Sequence, residues 1–201
     1  MCLPNIPIKS ILYCAYLCRN AYDDDLDEAI VLGDPDQIEN IRVYLFQENK
    51  VIYIIFRSIS DDEKDRRFTN VLDTVIDNVL ELISTSTDFD KIVITGHRDG
   101  VLALLASYLI KDKFDVTCYT FDSPDIRSKE ISVIPHEQSW WHIYKVKSTK
   151  SESCFQSDYP ININCLRIID GRDHDFVNSY STSKTTIEDY IMDIITLFKW
   201  S

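Results

Sequence analysis

Glycine is scarce in this chain, and its placement limits the fold more than any other feature of the sequence. Only four of the 201 residues are glycine, and two of these, Gly96 and Gly100, stand four positions apart. An apolar run at 92–94 precedes the pair, and another at 101–106 follows it. A sharp turn from a strand into a helix needs small residues two before and two after its apex, because the backbones come close there. The sequence therefore predicts a strand-to-helix elbow with Arg98 at its apex.

The rest of the chain alternates between strand and helix patterns. β-branched and aromatic runs predict strands at residues 41–46, 51–56, 91–95, 114–121, 142–147 and 166–169, the first two forming a hairpin. Apolar residues at helical spacing predict helices over Ile8–Tyr22, after an Asn70 cap, over 101–110, and after a capping box at 185–188. This alternation favours one α/β domain spanning residues 1–201, with a mostly parallel central sheet and helices on both faces.

The acidic balance of the chain excludes some classes of partner. The net charge is -12 and the pI is near 4.7, so phosphate backbones are repelled and nucleic-acid binding is not expected. No apolar stretch reaches 18 residues, so no transmembrane segment is expected. The acidic runs at 23–25 and 61–63 lack the Asp-x-Asp-x-Asp-Gly spacing of a calcium loop. They are predicted to be solvated surface, and no metal or cofactor site is expected.

The cysteines and the residue usage bear on location. Six cysteines are scattered without a Cys-x-x-Cys pair, which argues against a zinc site or a disulfide framework. Cys14 and Cys18 share one face of a predicted helix, where buried free thiols are expected. No basic segment precedes an apolar run at the start of the chain, which argues against a secretory signal. A reducing, cytoplasmic location is therefore expected. Abundant isoleucine with Asp, Asn and Lys is typical of an AT-rich genome, such as that of a large DNA virus or a protist. A viral source raises association with a virion as a further hypothesis.

Around the elbow the chain resembles the class 3 lipase family of α/β-hydrolases. The family elbow reads Gly-His-Ser-Leu-Gly-Gly-Ala-Leu-Ala, and residues 96–103 read Gly-His-Arg-Asp-Gly-Val-Leu-Ala. Residues 56–59, Phe-Arg-Ser-Ile, stand where the family has Phe-Arg-Gly-Thr, and residues 121–124, Phe-Asp-Ser-Pro, stand where it has Phe-Gly-Ser-Pro. His174, with Tyr180 after it, is similar to the family histidine. The resemblance covers roughly residues 8 to 182 and implies an α/β-hydrolase fold.

The same resemblance exposes what is missing from the catalytic set. The family nucleophile is the elbow serine, and Arg98 stands at that position between His97 and Asp99. A guanidinium stays protonated at any accessible pH and cannot attack a carbonyl carbon. The resemblance implies an acid near residues 149–151, where no Asp occurs, and Glu152 is the nearest carboxylate. His174 is then left without a nucleophile to activate.

Alternative nucleophiles fit less well. Asp99 stands one residue after the apex, so it is not expected to point where an apical nucleophile would. Isolated serines such as Ser58, Ser60 and Ser123 are common in loops and caps, and nothing in the sequence pairs one of them with His174. His97 is matched in the family by a residue that is usually structural, which favours a packing or hydrogen-bonding role.

The segment around two adjacent tryptophans also carries alternatives. His136 and His142 flank Trp140 and Trp141 without metal-ligand spacing, so both histidines are interpreted as surface or core residues. The tryptophan pair suggests either an exposed anchor for lipid or a protein, or packing beneath the sheet edge. Packing is the favoured interpretation.

Three hypotheses of function remain open at this point. The favoured one is a catalytically inactive lipase-like protein with a structural or protein-interaction role, through protein partners or self-assembly, in a viral particle or another assembly. The second is a lipid, fatty-acid or small-anion binding protein that uses Arg98 as a clamp. Alternatively, Arg98 pairs with Asp99, Asp122 or Glu152, which would convert the pocket into a filled, salt-bridged core. The third is an active ester or lipid hydrolase with an unorthodox nucleophile. Fold resemblance alone does not choose among them.

Overall fold

The computed structural model describes residues 7–26, 29–32, 41–58, 68–97, 100–121, 137–146, 163–169 and 187–199. The helices within these ranges are α1 (Ile8–Tyr22), α2 (Phe68–Thr85), α3 (Gly100–Ile110) and α4 (Ile187–Lys199). The strands are β1 (Ile30–Leu32), β2 (Ile41–Glu48), β3 (Val51–Ser58), β4 (Lys91–His97), β5 (Val116–Phe121), β6 (Glu137–Val146) and β7 (Ile163–Ile169).

All seven strands form one sheet in sequential order. The pairs β1–β2 and β2–β3 are antiparallel, and every pair from β3 to β7 is parallel. The expected mostly parallel sheet is therefore confirmed, with an antiparallel hairpin and a short edge strand on one side. Every residue of β5 is buried, as a central strand covered by helices on both faces requires.

The predicted hairpin between β2 and β3 is present and tighter than the sequence suggested. Asn49 and Lys50 form its two-residue turn, with φ angles of 48° and 64°. Two consecutive residues with positive φ match the twist of the paired strands, as in a type I′ turn. Because the turn takes only these two residues, strand pairing continues to Glu48 opposite Val51, beyond the predicted end of the first strand.

The helices cover the sheet on both faces, as expected. On one face, α2 and α3 pack on alternate strand residues such as Ile54 and Ile94. On the other face, α1 and α4 pack on the intervening residues, such as Ile55 and Val93. Each of these four strand side chains is at least nine-tenths buried, so the strands are sandwiched between two apolar layers.

Some predicted element boundaries are wrong. Asn70 does not cap α2, because the helix already begins at Phe68. The strand predicted from residue 114 begins only at Val116, since the Phe114 N–H bonds back to the carbonyl of Ile110 and continues the turn that ends α3. In the other direction, β6 begins at Glu137 and β7 at Ile163, both earlier than predicted.

Several core predictions are confirmed. Cys14 and Cys18 are buried on α1 and, like the buried Cys118, do not form a disulfide. Trp140 and Trp141 are 1% and 6% exposed and pack into the opposite layers of the core, so they do not form an exposed anchor. No helix in the described ranges combines the length and the apolar character needed to cross a bilayer.

Candidate functional site

The glycine-flanked segment joins a strand to a helix in the middle of the sheet. β4 ends at His97 and α3 begins at Gly100, so only two residues connect the two elements. Gly96 lies in the sheet between Phe56 of β3 and Thr120 of β5. Gly100 is buried at the first position of α3. Arg98 and Asp99 themselves lie outside the described residues.

The carboxyl ends of three neighbouring strands bring the lipase-like segments to one edge of the sheet. The register aligns His97 with Phe121, and places Arg57 of β3 directly beyond the Phe56–Gly96 pair. The three segments are far apart in sequence, and they meet at the carboxyl ends of the strands, where open α/β sheets bind ligands. Of the other candidates, Ser58 is the last residue of β3, whereas Ser60, Asp122, Ser123, His136, Glu152 and His174 lie outside the described residues.

His97 is buried against α1. His97 is only 3% exposed. Its ring meets the ring of Tyr22 edge-on, with centroids 5.6 Å apart and an interplanar angle of 78°. The Tyr22 hydroxyl donates a hydrogen bond of 3.2 Å to the His97 carbonyl oxygen. These contacts give His97 the packing role that its family counterpart suggested, and they fasten α1 to the residue before Arg98.

Arg57 is the centre of a polar network at the same edge. Its Nη1 donates to the carbonyl oxygen of Ala21 and to Oδ1 of Asp24, both at 2.6 Å, and to the Tyr44 hydroxyl at 3.0 Å. The guanidinium carbon also lies 5.4 Å from the centre of the Tyr22 ring. The side chain is 13% exposed, so these partners largely replace water around the charge. Arg57 therefore ties β3 to the end of α1.

Asp24 forms ion pairs with two arginines at once. Arg42 and Arg57 are directly opposite each other on β2 and β3, where like charges are destabilising. Asp24 accepts from Arg42 Nη1 at 2.9 Å, from Arg57 and from the Tyr44 hydroxyl at 2.5 Å. The Tyr44 hydrogen bond and the two arginines lower the pKa of its carboxyl group. We call Tyr22, Asp24, Arg42, Tyr44 and Arg57 the carboxyl-edge cluster.

Sequence reasoning missed this cluster. Asp24 belongs to an acidic run that was predicted to be solvated surface, and its side chain is indeed 54% exposed while it binds both arginines. In the sequence, only the match of Arg57 to the family Phe-Arg-Gly-Thr segment pointed to this cluster. That match indicated the position of the arginine but not its partner, Asp24.

A buried polar pair, Thr120 and His142, lies beside the elbow on the face of the sheet opposite to the carboxyl-edge cluster. The register row through Gly96 continues to Thr120 and then to His142. The Thr120 hydroxyl and His142 Nδ1 are hydrogen-bonded at 2.8 Å, and His142 is 3% exposed. Burial lowers the pKa of His142 to about 4, so the imidazole is neutral at physiological pH. Of the two interpretations given to this histidine, the core position is the correct one.

Comparison with known proteins supports the fold and goes no further. No protein-family model matches the chain, and no curated protein does. Among solved structures, the chain is similar to the Lip2 lipase from Yarrowia lipolytica, with a TM-score of 0.51 and 14% sequence identity, over 80% of this chain and 78% of that chain. At that identity the similarity shows a shared α/β-hydrolase-like fold.

Proposed function

We propose that this chain is a lipase-like protein without ester-hydrolase activity, which acts by binding other proteins or further copies of itself in an assembly. The observation that carries the proposal is the residue at position 98. It stands between the end of β4 and the start of α3, where a hydrolase of this fold mounts its attacking serine. Arginine has no nucleophilic atom that can form an acyl-enzyme.

The energetic consequence of this replacement is large. Removing the nucleophile of a catalytic triad costs about 10⁶-fold in kcat, and the assistance that remains comes from the oxyanion hole and from binding. The oxyanion hole is expected to be weakened too, because Ser58 and Ile59 replace the Gly and Thr of the family segment. No aspartate stands at 149–151, and Glu152 is a longer side chain at a different position.

The contacts around the elbow favour a rigid arrangement of α1, β3 and β4 at the carboxyl ends of the strands. Tyr22 and Arg57 fasten α1 and β3 to one another through the carboxyl-edge cluster, and Tyr22 also holds the backbone of His97. These groups bond to backbone carbonyls and to each other. An edge built in this way favours a scaffold that presents a fixed surface to a partner.

The catalytic half of the proposal is tested by ester hydrolysis. Purified wild-type protein is assayed with a short-chain p-nitrophenyl ester. Two variants are assayed beside it. Arg98→Ser places a serine at the elbow, and Arg19→Ser is a control that removes one arginine from an exposed site. The wild-type protein and Arg19→Ser are expected to show only the background rate. Wild-type turnover that survives repurification and saturates with substrate would contradict the proposal.

The assembly half is tested by light scattering coupled to size exclusion, with pull-down from the native source. A defined oligomer, or a stoichiometric partner, is the expected result. A chain that stays monomeric at every concentration and retains no partner would contradict this half.

A second candidate function uses Arg98 as an anion clamp. It is favoured by the position of this cation two residues before α3, whose first turn carries no acidic residue and whose backbone N–H groups favour anions. Fatty acid or phosphate is then expected to raise the melting temperature of the wild-type protein more than that of Arg98→Ala. An equal rise in both proteins would contradict this role.

A further inference from the structure

A cavity opens at the other edge of the sheet, where the parallel strands begin. Its volume is about 210 Å³, and it lies between the start of α1 and the strands β3, β4 and β5. The lining residues are Lys9, Ser10, Tyr13, Cys14, Tyr53, Lys91, Val93 and Tyr119. Lys91 is the first residue of β4, whereas the elbow follows its last residue, so this cavity is separate from the lipase-like site.

The cavity carries positive charge in a strongly acidic chain. Lys9 and Lys91 both line it, although the protein as a whole has a net charge of -12. Within the described ranges, neither ammonium group has a carboxylate within ion-pair distance. The first turn of α1 adds to the positive potential, because it contains no acidic side chain and Pro7 provides no side-chain cap.

The inner wall of the cavity is aromatic and apolar. The rings of Tyr13 and Tyr53 meet edge-on, with centroids 5.4 Å apart and an interplanar angle of 73°. The residues at its base, Cys14, Val93 and Tyr119, are 1%, 7% and 4% exposed. A flat apolar group can contact these surfaces while its polar end stays near the two lysines.

Hydroxyl groups complete the lining. The Tyr13 hydroxyl donates a hydrogen bond to Glu48, which restricts the orientation of its ring. Burial raises the pKa of Tyr119 to about 12, with the Ser10 hydroxyl opposing the rise, so the Tyr119 phenol is protonated and able to donate. Ser10 offers a further hydroxyl donor at the mouth of the cavity.

We infer that this cavity binds a small organic anion, consisting of one aromatic ring and one phosphate or carboxylate group. The two lysines and the hydroxyls hold the anionic group, and the tyrosine rings and Val93 hold the ring. A volume of about 210 Å³ is smaller than typical drug-sized pockets, so it matches a ligand with a single ring. The inference does not depend on the proposed function, since it concerns the opposite edge of the sheet.

Calorimetric titration of the full chain tests this site. Phenyl phosphate, benzoate and inorganic phosphate are the three probes, measured with the wild-type protein and with Lys9→Gln, Lys91→Gln and Lys113→Gln. Lys113 is the matched control, because it is an exposed lysine at the same edge of the sheet and does not line the cavity. Each of the first two variants is expected to weaken binding about tenfold, and Lys113→Gln less than about twofold.

The probes distinguish the parts of the inference. Inorganic phosphate is expected to bind at least about tenfold more weakly than phenyl phosphate, because it lacks the ring that the cavity buries. Stronger binding of phenyl phosphate assigns the site to phosphate monoesters and stronger binding of benzoate to carboxylates, and either result supports the site. The inference is overturned by the absence of saturable binding at millimolar concentrations, by equal binding of inorganic phosphate, or by an equal loss in Lys113→Gln.

Discussion

The Tyr22 hydroxyl lies 3.2 Å from the carbonyl oxygen of His97 and donates a hydrogen bond to it. This bond joins the last residue of α1 to the last residue of β4, 75 positions later in the chain. The same tyrosine ring lies beside the Arg57 guanidinium and the His97 ring. The backbone that leads into position 98 is therefore held by a helix from the start of the sequence.

Removing this hydroxyl measures its contribution. Tyr22→Phe is expected to lower the free energy of unfolding by about 1 kcal/mol, because it deletes one partly buried hydrogen bond and keeps the ring contacts. Tyr16→Phe is the matched control, since Tyr16 packs in the same layer on α1. Urea denaturation provides the measurement, and equal effects of the two substitutions would contradict a specific role for the Tyr22 bond.

Asp24 is expected to stabilise the protein through the two arginines it bonds. Asp24→Asn should cost about 1 kcal/mol, a modest value because the carboxylate is half exposed. Asparagine tolerates the left-handed backbone at this position, where φ is 54°, so the substitution tests the charge and not the backbone. The unfolding free energies of Asp24→Asn and Asp25→Asn are compared by chemical denaturation. Asp25 is the control, because it is an exposed neighbour outside the carboxyl-edge cluster.

The difference in unfolding free energy between wild type and Asp24→Asn is expected to depend on pH, and the direction follows from the pKa of Asp24. The pKa of Asp24 is lowered in the folded protein, so its contribution is complete above the unfolded value of 3.8 and is lost as the pH falls through the folded value. Asp24→Asn should therefore be less stable than wild type at neutral pH, and the two should converge in acid. A difference that persists unchanged below pH 3.8 would mean that the charge is not responsible.

His142 is expected to make the core sensitive to mild acid. Its pKa is about 4 when folded and 6.5 in the ordinary environment, so the unfolded chain binds the proton more readily. Stability present above pH 6.5 is then lost as the pH falls toward 4, by up to about 3 kcal/mol. The measurement is the difference in unfolding free energy between wild type and His142→Asn across this range, which isolates the contribution of this histidine. A difference independent of pH would contradict the assignment.

The parts of the fold that follow from local patterns were predictable. Helical periodicity gave the bounds of α1 correctly, and the two glycines marked the junction between β4 and α3. The partners of Asp24 were not predictable, because Arg57 reaches it from 33 positions away through a strand register that no local pattern specifies. The cavity depends in the same way on Lys9 and Lys91, which only the parallel sheet brings together.

Labelling with a fluorophosphonate probe tests the proposal that the protein has no serine nucleophile. The native protein is incubated with the probe and its intact mass is measured, with a heat-denatured sample as the control for nonspecific reaction. We expect no covalent adduct on the native protein, because Arg98 cannot form one. Stoichiometric labelling of one serine in the native sample, abolished by heat, would contradict it.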